Sequence, residues 1–135
     1  MKTPPFALEW LREKCEREHW STVRQRRTVT REWVRHTGGR VMRAGLSGTI
    51  QSAPDFEFLI SAPGVEDEYV AAVKNAAISV LVSQSWTPVF AVRLELGSFV
   101  PHTEESSYAA FYAVAHEVVS HLLGVEPGSQ HNIEW

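Results

Sequence analysis

The chain has 135 residues, 44% hydrophobic and 21% charged, a profile that suits a single folded domain burying roughly two thirds of its unfolded surface. Its eight glycines and seven prolines follow no period, and no apolar run approaches the roughly 18 residues of a spanning helix. Collagen-like, disordered and membrane-spanning classes are therefore set aside. The net charge of −3 hides a strong polarity: residues 1–43 hold eleven Lys and Arg against five Asp and Glu, and the remainder two against eleven. A basic end of this kind suits a polyanion such as nucleic acid, and the acidic remainder would limit non-specific binding.

The first residues contain no export signal, because Glu9, Arg12 and Glu13 interrupt any apolar core. Cys15 is the single cysteine, which excludes an internal disulfide and a cysteine-based zinc cluster. A cytoplasmic protein is expected.

Taken in chain order, residues 6–19 carry Phe6, Leu8, Leu11 and Cys15 between charged residues and predict a short amphipathic helix. Residues 22–35 are rich in Thr, Val, Trp and Arg and predict a partly exposed strand, with Val23, Val29 and Trp33 on one parity but Arg27 and Arg31 sharing it. His36-Thr37-Gly38-Gly39-Arg40 supplies a bend, since paired glycines accept positive φ. From residue 40 to 51, Met42, Ala44, Leu46 and Ile50 alternate with Arg43, Ser47, Thr49 and Gln51, the pattern of a half-buried strand. Phe56, Phe58 and Ile60 predict a third strand before Pro63-Gly64.

Glu66-Asp67-Glu68 then places negative charge at a helix start, and Tyr69, Val70, Val73, Ala77, Val80 and Leu81 form its buried stripe, ending near Ser83. A fourth strand is predicted over residues 89–96 and a loop over 97–105. Ser106 or Thr103 is the expected cap of a last helix with the stripe Phe111, Val114, Ala115, Val118 and Leu122, closed by Gly124. Glu104 and Glu105 read as complements to that helix's dipole. The whole predicts one domain over residues 1–135, an α+β sandwich with helices mostly on one face of the sheet and no period over the tail, 125–135.

No catalytic constellation emerges. His116 and His121 lie five apart, so their rings point about 140° from each other on a helix, and zinc hydrolysis is rejected, with His116 expected on the solvent face and His121 beside the core. Gly38-Gly39-Arg40 lies between strands with no lysine near it, so it is no nucleotide cradle. No Gly-x-Ser-x-Gly elbow accompanies the serines. A protein that is not an enzyme, with no cofactor, no metal, no nucleotide and no membrane partner, is expected.

Several motifs stand in an order that resembles domain IV of translation elongation factor G and the tetracycline-resistance ribosomal protection proteins. Arg35-His36-Thr37-Gly38-Gly39-Arg40-Val41 is similar to that family's Arg-Gln-Ser-Gly-Gly-Arg-Gly, and Val65 to Val73 is similar to its Pro-Lys-Glu-Tyr-Ile-x-x-Val helix opening. Trp86-Thr87-Pro88-Val89 running to Leu94 and Leu96 resembles its Tyr-Pro-Val strand. Gly97-Ser98-Phe99, then His102 to Ser107 with Ala110-Phe111, resembles its Gly-Ser-Tyr-His-Asp-Val-Asp-Ser-Ser segment, with Val100 and Pro101 lengthening the loop.

The resemblance covers residues 28–124, with 1–27 as an N-terminal helix and basic extension. It implies a βββαβα sandwich, two layers with a four-stranded sheet and two main helices, and a left-handed βαβ crossover that departs from the usual handedness. It also implies a tip, built from the bend and the loop before the last helix, that touches RNA in the decoding region of the small ribosomal subunit. On this sequence those residues are His36, Thr37, Gly38, Gly39, Arg40, His102, Thr103 and Ser106, with Arg24, Arg26, Arg35 and Arg43 supplying cationic side chains around them. Val41-Met42-Arg43-Ala44 replaces the family's Gly-Gln-Tyr-Gly, and the sequence carries no GTPase motif. The expectation is a stand-alone RNA- or ribosome-binding domain. The alternative is a protein-interaction module or diverged remnant without an RNA partner, for which Trp10, Trp20 and Trp135 would be anchors.

Overall fold

The computed structural model describes residues 22–84, 89, 91–102 and 104–124. The expected helix over 6–19, Trp10, Trp20, Thr103 and the tail with Trp135 lie outside the described residues.

Two long strands open the fold, β1 (Arg27–Thr37) and β2 (Arg40–Ser52), paired antiparallel without a register shift from Arg27 opposite Ile50 to Thr37 opposite Arg40. The bend between them is Gly38 at φ 55° and Gly39 at φ 80°. Two consecutive positive φ values make the tight hairpin bend whose twist matches that of its strands, and only glycine enters it without cost. β3 (Glu57–Ile60), α1 (Asp67–Val82), β4 (Val92–Val100) and α2 (Tyr108–Leu122) follow. The sheet order is β1-β2-β4-β3, with β4 antiparallel to β2 and parallel to β3. The result is a small two-layer α+β sandwich.

Alternation decides which face is covered. Ala44, Leu46 and Ile50 of β2 and Val92, Leu94 and Leu96 of β4 are buried with Phe111, Val114, Val118 and Leu122 of α2 in one core. Gly48 sits in the same β2 row: a Cβ there would come within 2.8 Å of Leu122 Cδ1, Leu96 Cδ2 and Val118 Cγ1 alike, so α2 rests directly on the β2 backbone. Ala72, Ala76 and Ala77 on α1 are fully buried, and α1 packs against α2. Asp67 and Glu68 occupy the first turn of α1, where backbone N–H groups favour negative charge. Gly124, at φ 86°, ends α2 and donates its N–H to His121 O at 3.1 Å.

Boundaries differ from the sequence reading in four places. β1 begins at Arg27 and continues to Thr37, and β3 begins at Glu57. β4 begins at Val92 and continues to Val100, so 97–100 is strand rather than loop. There Gly97 pairs with Ser47 and Val100 with Gly45, around an irregularity in which Ser98 takes φ 53°. Bonding to β2 outweighs the weak strand preference of Gly and Ser. Ser107, not Ser106 or Thr103, caps α2, its hydroxyl accepting from Ala110 N at 3.1 Å.

Candidate functional site

The hairpin outruns the rest of the sheet. Its last pairing with β4 is Gly45 opposite Val100, so the stretch from Arg35 to Met42 forms a two-stranded ribbon beyond the last β2–β4 pair. Where β4 stops, the outward backbone of β2 needs other partners, and the loop before α2 supplies them. Arg43 N–H donates to Glu105 O at 2.8 Å, and the Ser106 hydroxyl donates to Arg43 O at 2.7 Å while accepting from His102 N at 2.8 Å. Ser106 is thus engaged in both directions within the chain.

From α1, Tyr69 braces the same loop. Its hydroxyl donates to Ser106 O at 3.4 Å, and its ring stacks on Phe111 at 4.7 Å. Burial, helped by the nearby carboxylates of Glu66 and Glu68, pushes the Tyr69 phenol above its ordinary value.

On the open face, the His102 ring approaches β1, with Nε2 3.1 Å from Glu32 Oε2, though out of line for a hydrogen bond. Gly45, opposite Glu32 on β2, is covered by Val100, since a Cβ there would lie 2.8 Å from Val100 Cβ. Arg43 Nε lies 3.5 Å from Glu105 Oε1. Glu105 therefore serves Arg43 rather than the dipole of α2, whose first turn has no acidic residue. Neither Glu32 nor Glu105 was singled out from the sequence as a site residue. Glu32 was the one acidic residue inside a basic strand, which was the available signal.

The predicted site residues separate into three groups. Arg35, His36, Gly38, Gly39 and Arg40 cluster at the ribbon's end with the Thr37 backbone, and all five are exposed. Arg43, His102 and Ser106 form the clamp behind them. The bend and His102 share one end of the sheet, because β4 runs antiparallel to β2 and finishes near where β2 begins. Glu32, which His102 contacts, nevertheless stands six residues before Gly38, about 20 Å of extended chain. Arg24 and Arg26 precede β1 and lie at its opposite end, on the order of 30 Å from the bend. The structure does not bring these two arginines to the tip.

Not every arginine on the hairpin is available. Arg27 donates to the carbonyls of His121 and Leu122 at the end of α2, and Arg31 approaches Glu117 at 3.8 Å and the His121 ring at 3.3 Å. Both sit on the helix-facing parity and fasten β1 to α2. Arg24, Arg26, Arg35 and Arg40 are exposed and have no acidic partner among the described residues. On the open face, Thr28 bonds Thr49 at 3.3 Å and Thr30 bonds Ser47 at 2.9 Å. Arg93 bridges Glu95 and Glu57, and those bonds favour its charged form.

Among the described residues no group of three His, Cys, Asp or Glu is arranged to hold a metal. His116 stacks beside Tyr112 at 6.4 Å and is half-buried rather than fully solvent-facing. No helix of the described residues is long and apolar enough to cross a membrane.

No family model matches the chain, and no curated protein matches it. Among solved structures 52 chains match, so the arrangement recurs. One is the protein ttk003000868 from Thermus thermophilus, with a TM-score of 0.64 at 16% identity over 76% of this chain. The match covers only 16% of that much longer chain. At this identity the likeness establishes a shared fold.

Proposed function

We propose that this chain is a non-catalytic domain, built like domain IV of elongation factor G, that binds structured RNA or the ribosome through the end of the β1–β2 ribbon. The observation that carries the reading is the ribbon itself. It extends beyond the last β2–β4 pair and ends in two glycines of positive φ flanked by exposed Arg35, His36 and Arg40. Guanidinium groups that lack acidic neighbours are free to form paired bonds to phosphate, and an exposed imidazole can stack on or donate to a base. A Cβ at Gly38 or Gly39 would meet nothing within 4 Å, so the tip is open to an approaching backbone.

The match to a small part of a much longer chain agrees with a domain of this kind. Within the proposed site, Arg43, His102 and Ser106 hold the loop against the root of the ribbon. Arg24 and Arg26, at the other end of β1, would join only if the RNA runs the length of the strand. The proposed setting is the cytoplasm.

Gel-shift or filter-binding titration with small ribosomal subunits and with a structured RNA tests the proposal. Arg35→Ala and Arg40→Ala are each expected to weaken binding and reduce the salt slope by about 1. Affinity no tighter than millimolar at low salt, or indifferent to salt, overturns it.

A further inference from the structure

We propose that the edge of β1, unpaired among the described residues, accepts an extended acidic polypeptide segment as a fifth strand of the sheet. Among the described residues β1 is an edge strand of eleven residues, without proline and without a register shift, so charge, on Arg27, Arg31, Glu32 and Arg35, is what guards it, and a mainly basic guard repels a basic strand but not an acidic one. Its backbone orientation follows from β2. Val34 stands opposite Arg43, whose N–H and C=O are turned away from β1 to Glu105 and Ser106. Val34 and Arg43 are therefore a non-hydrogen-bonded pair, and the Val34 N–H and C=O point away from the sheet.

By alternation the same holds for Thr28, Thr30, Glu32 and His36. Of these five residues only the Thr30 carbonyl has a partner outside the β1–β2 ladder among the described residues, the Arg31 guanidinium at 3.3 Å. The rest forms a row of alternating donors and acceptors at strand spacing.

That row selects the class of partner. A nucleic-acid backbone offers phosphate oxygens and, in RNA, 2′-hydroxyls, with no alternation of N–H and C=O at strand spacing, whereas a polypeptide offers both in that alternation and adds to a sheet edge through them. Charge selects the composition. Exposed Arg24 and Arg26 lie at one end of the edge and Arg35 and Arg40 at the other, and Glu32 between them already faces His102. A second copy of β1 would set these arginines against one another. Carboxylates on an incoming strand would instead be attracted at both ends.

The test uses the full chain and an end-blocked peptide of alternating glutamate and threonine, with amide exchange followed by NMR. Saturation is expected to slow exchange at Thr28, Glu32, Val34 and His36 by about tenfold or more, with binding weakening as salt rises. A lysine-for-glutamate peptide is expected to do neither. Val34→Pro removes an outward N–H without touching a β1–β2 bond, and is expected to abolish the peptide effect while RNA affinity is retained. Should that variant not fold, Arg26→Glu with Arg35→Glu serves instead, and is expected to weaken the glutamate peptide about fivefold or more and admit the lysine peptide.

Absence of slowing overturns the proposal. So does protection already present in the free chain, whether lost on removing residues 125–135, which identifies the tail as occupant, or accompanied by a doubling of mass, which identifies a second copy. RNA binding is measured separately, so its loss with the peptide effect intact refutes only the RNA reading.

Discussion

Replacing Gly48 with alanine is the sharpest test of how α2 is seated. The added Cβ would lie 2.8 Å from each of three carbons, two on α2 and one on β4, where carbon atoms prefer about 3.5–4.0 Å. Leu122, Val118 and Leu96 are essentially fully buried, so none can swing into solvent, and each must retreat by roughly 0.7–1 Å or the helix must lift. Overpacking of this kind costs about 1–3 kcal/mol, offset by about 0.4–1 kcal/mol from the lower entropy of an unfolded chain without that glycine. A net loss of about 1–2 kcal/mol corresponds to a fall in Tm of roughly 3–10 °C for a domain of this size.

Urea unfolding followed by circular dichroism measures it, with Gly97→Ala as the milder comparison, because its Cβ would stand 3.3 Å from Ser61 O. Val118→Ala in the Gly48→Ala background should recover stability relative to additivity by about 1 kcal/mol, since it vacates one of the three contacts. A Gly48→Ala protein as stable as the parent, or an additive double mutant, would refute the direct seating of α2 on β2.

Other perturbations test the bend, the clamp and the helix brace. Gly39→Val should cost about 1–2 kcal/mol more than Gly39→Asn in a urea melt, because the position has φ 80° and open space around it, which leaves strain as the only penalty. Ser106→Ala deprives the Arg43 carbonyl and the His102 amide of their partner at once, with an expected loss of about 2 kcal/mol and faster exchange of the His102 amide. Ser107→Ala removes one cap and should cost about 1 kcal/mol; equal losses in the two variants would contradict the clamp.

Tyr69 has its phenol raised above the ordinary value of 10.0, so folding favours the neutral form. The stability this contributes is fully present below about pH 10 and is lost as pH rises through the raised value. Tyr69→Phe should therefore lose under about 1 kcal/mol at neutral pH and flatten the alkaline decline of the urea midpoint; an unchanged decline would sink this assignment.

Much of the fold was legible because two periods dominate it. Met42, Ala44, Leu46 and Ile50 recur at two, and Phe111, Val114, Ala115, Val118 and Leu122 at three and four, and all these but half-buried Met42 are buried. Two of the misplaced boundaries, the end of β4 and the cap of α2, share one cause, a distant bond deciding a local choice. Gly97 and Ser98 read as loop until β2 pairs with them. Ser106 and Ser107 are equivalent as caps until the Arg43 carbonyl, 63 residues away, claims the first.

The residues of the candidate site could be chosen from composition, but their layout could not. Arg27 and Arg31 were visible on the apolar parity of their strand, yet their targets lie on α2, 94 and 90 residues further on. Arg24 and Arg26 belong to the same basic stretch as the bend, and only the length of β1 separates them from it.

Because the Glu105 carbonyl and the Ser106 hydroxyl together fasten the loop to the root of the ribbon, the hairpin behaves mechanically as a cantilever whose fulcrum is the Arg43 backbone. Inboard of that point four strands and a helix layer resist bending; outboard, two strands twist and flex together. A load at the glycine pair is levered onto the Ser106 and Glu105 bonds, and release of both would shift the fulcrum inward to Gly45 and lengthen the swinging arm. The reach and stiffness of the ribbon are thus set by bonds made at its root, within the chain, by Ser106 and Glu105.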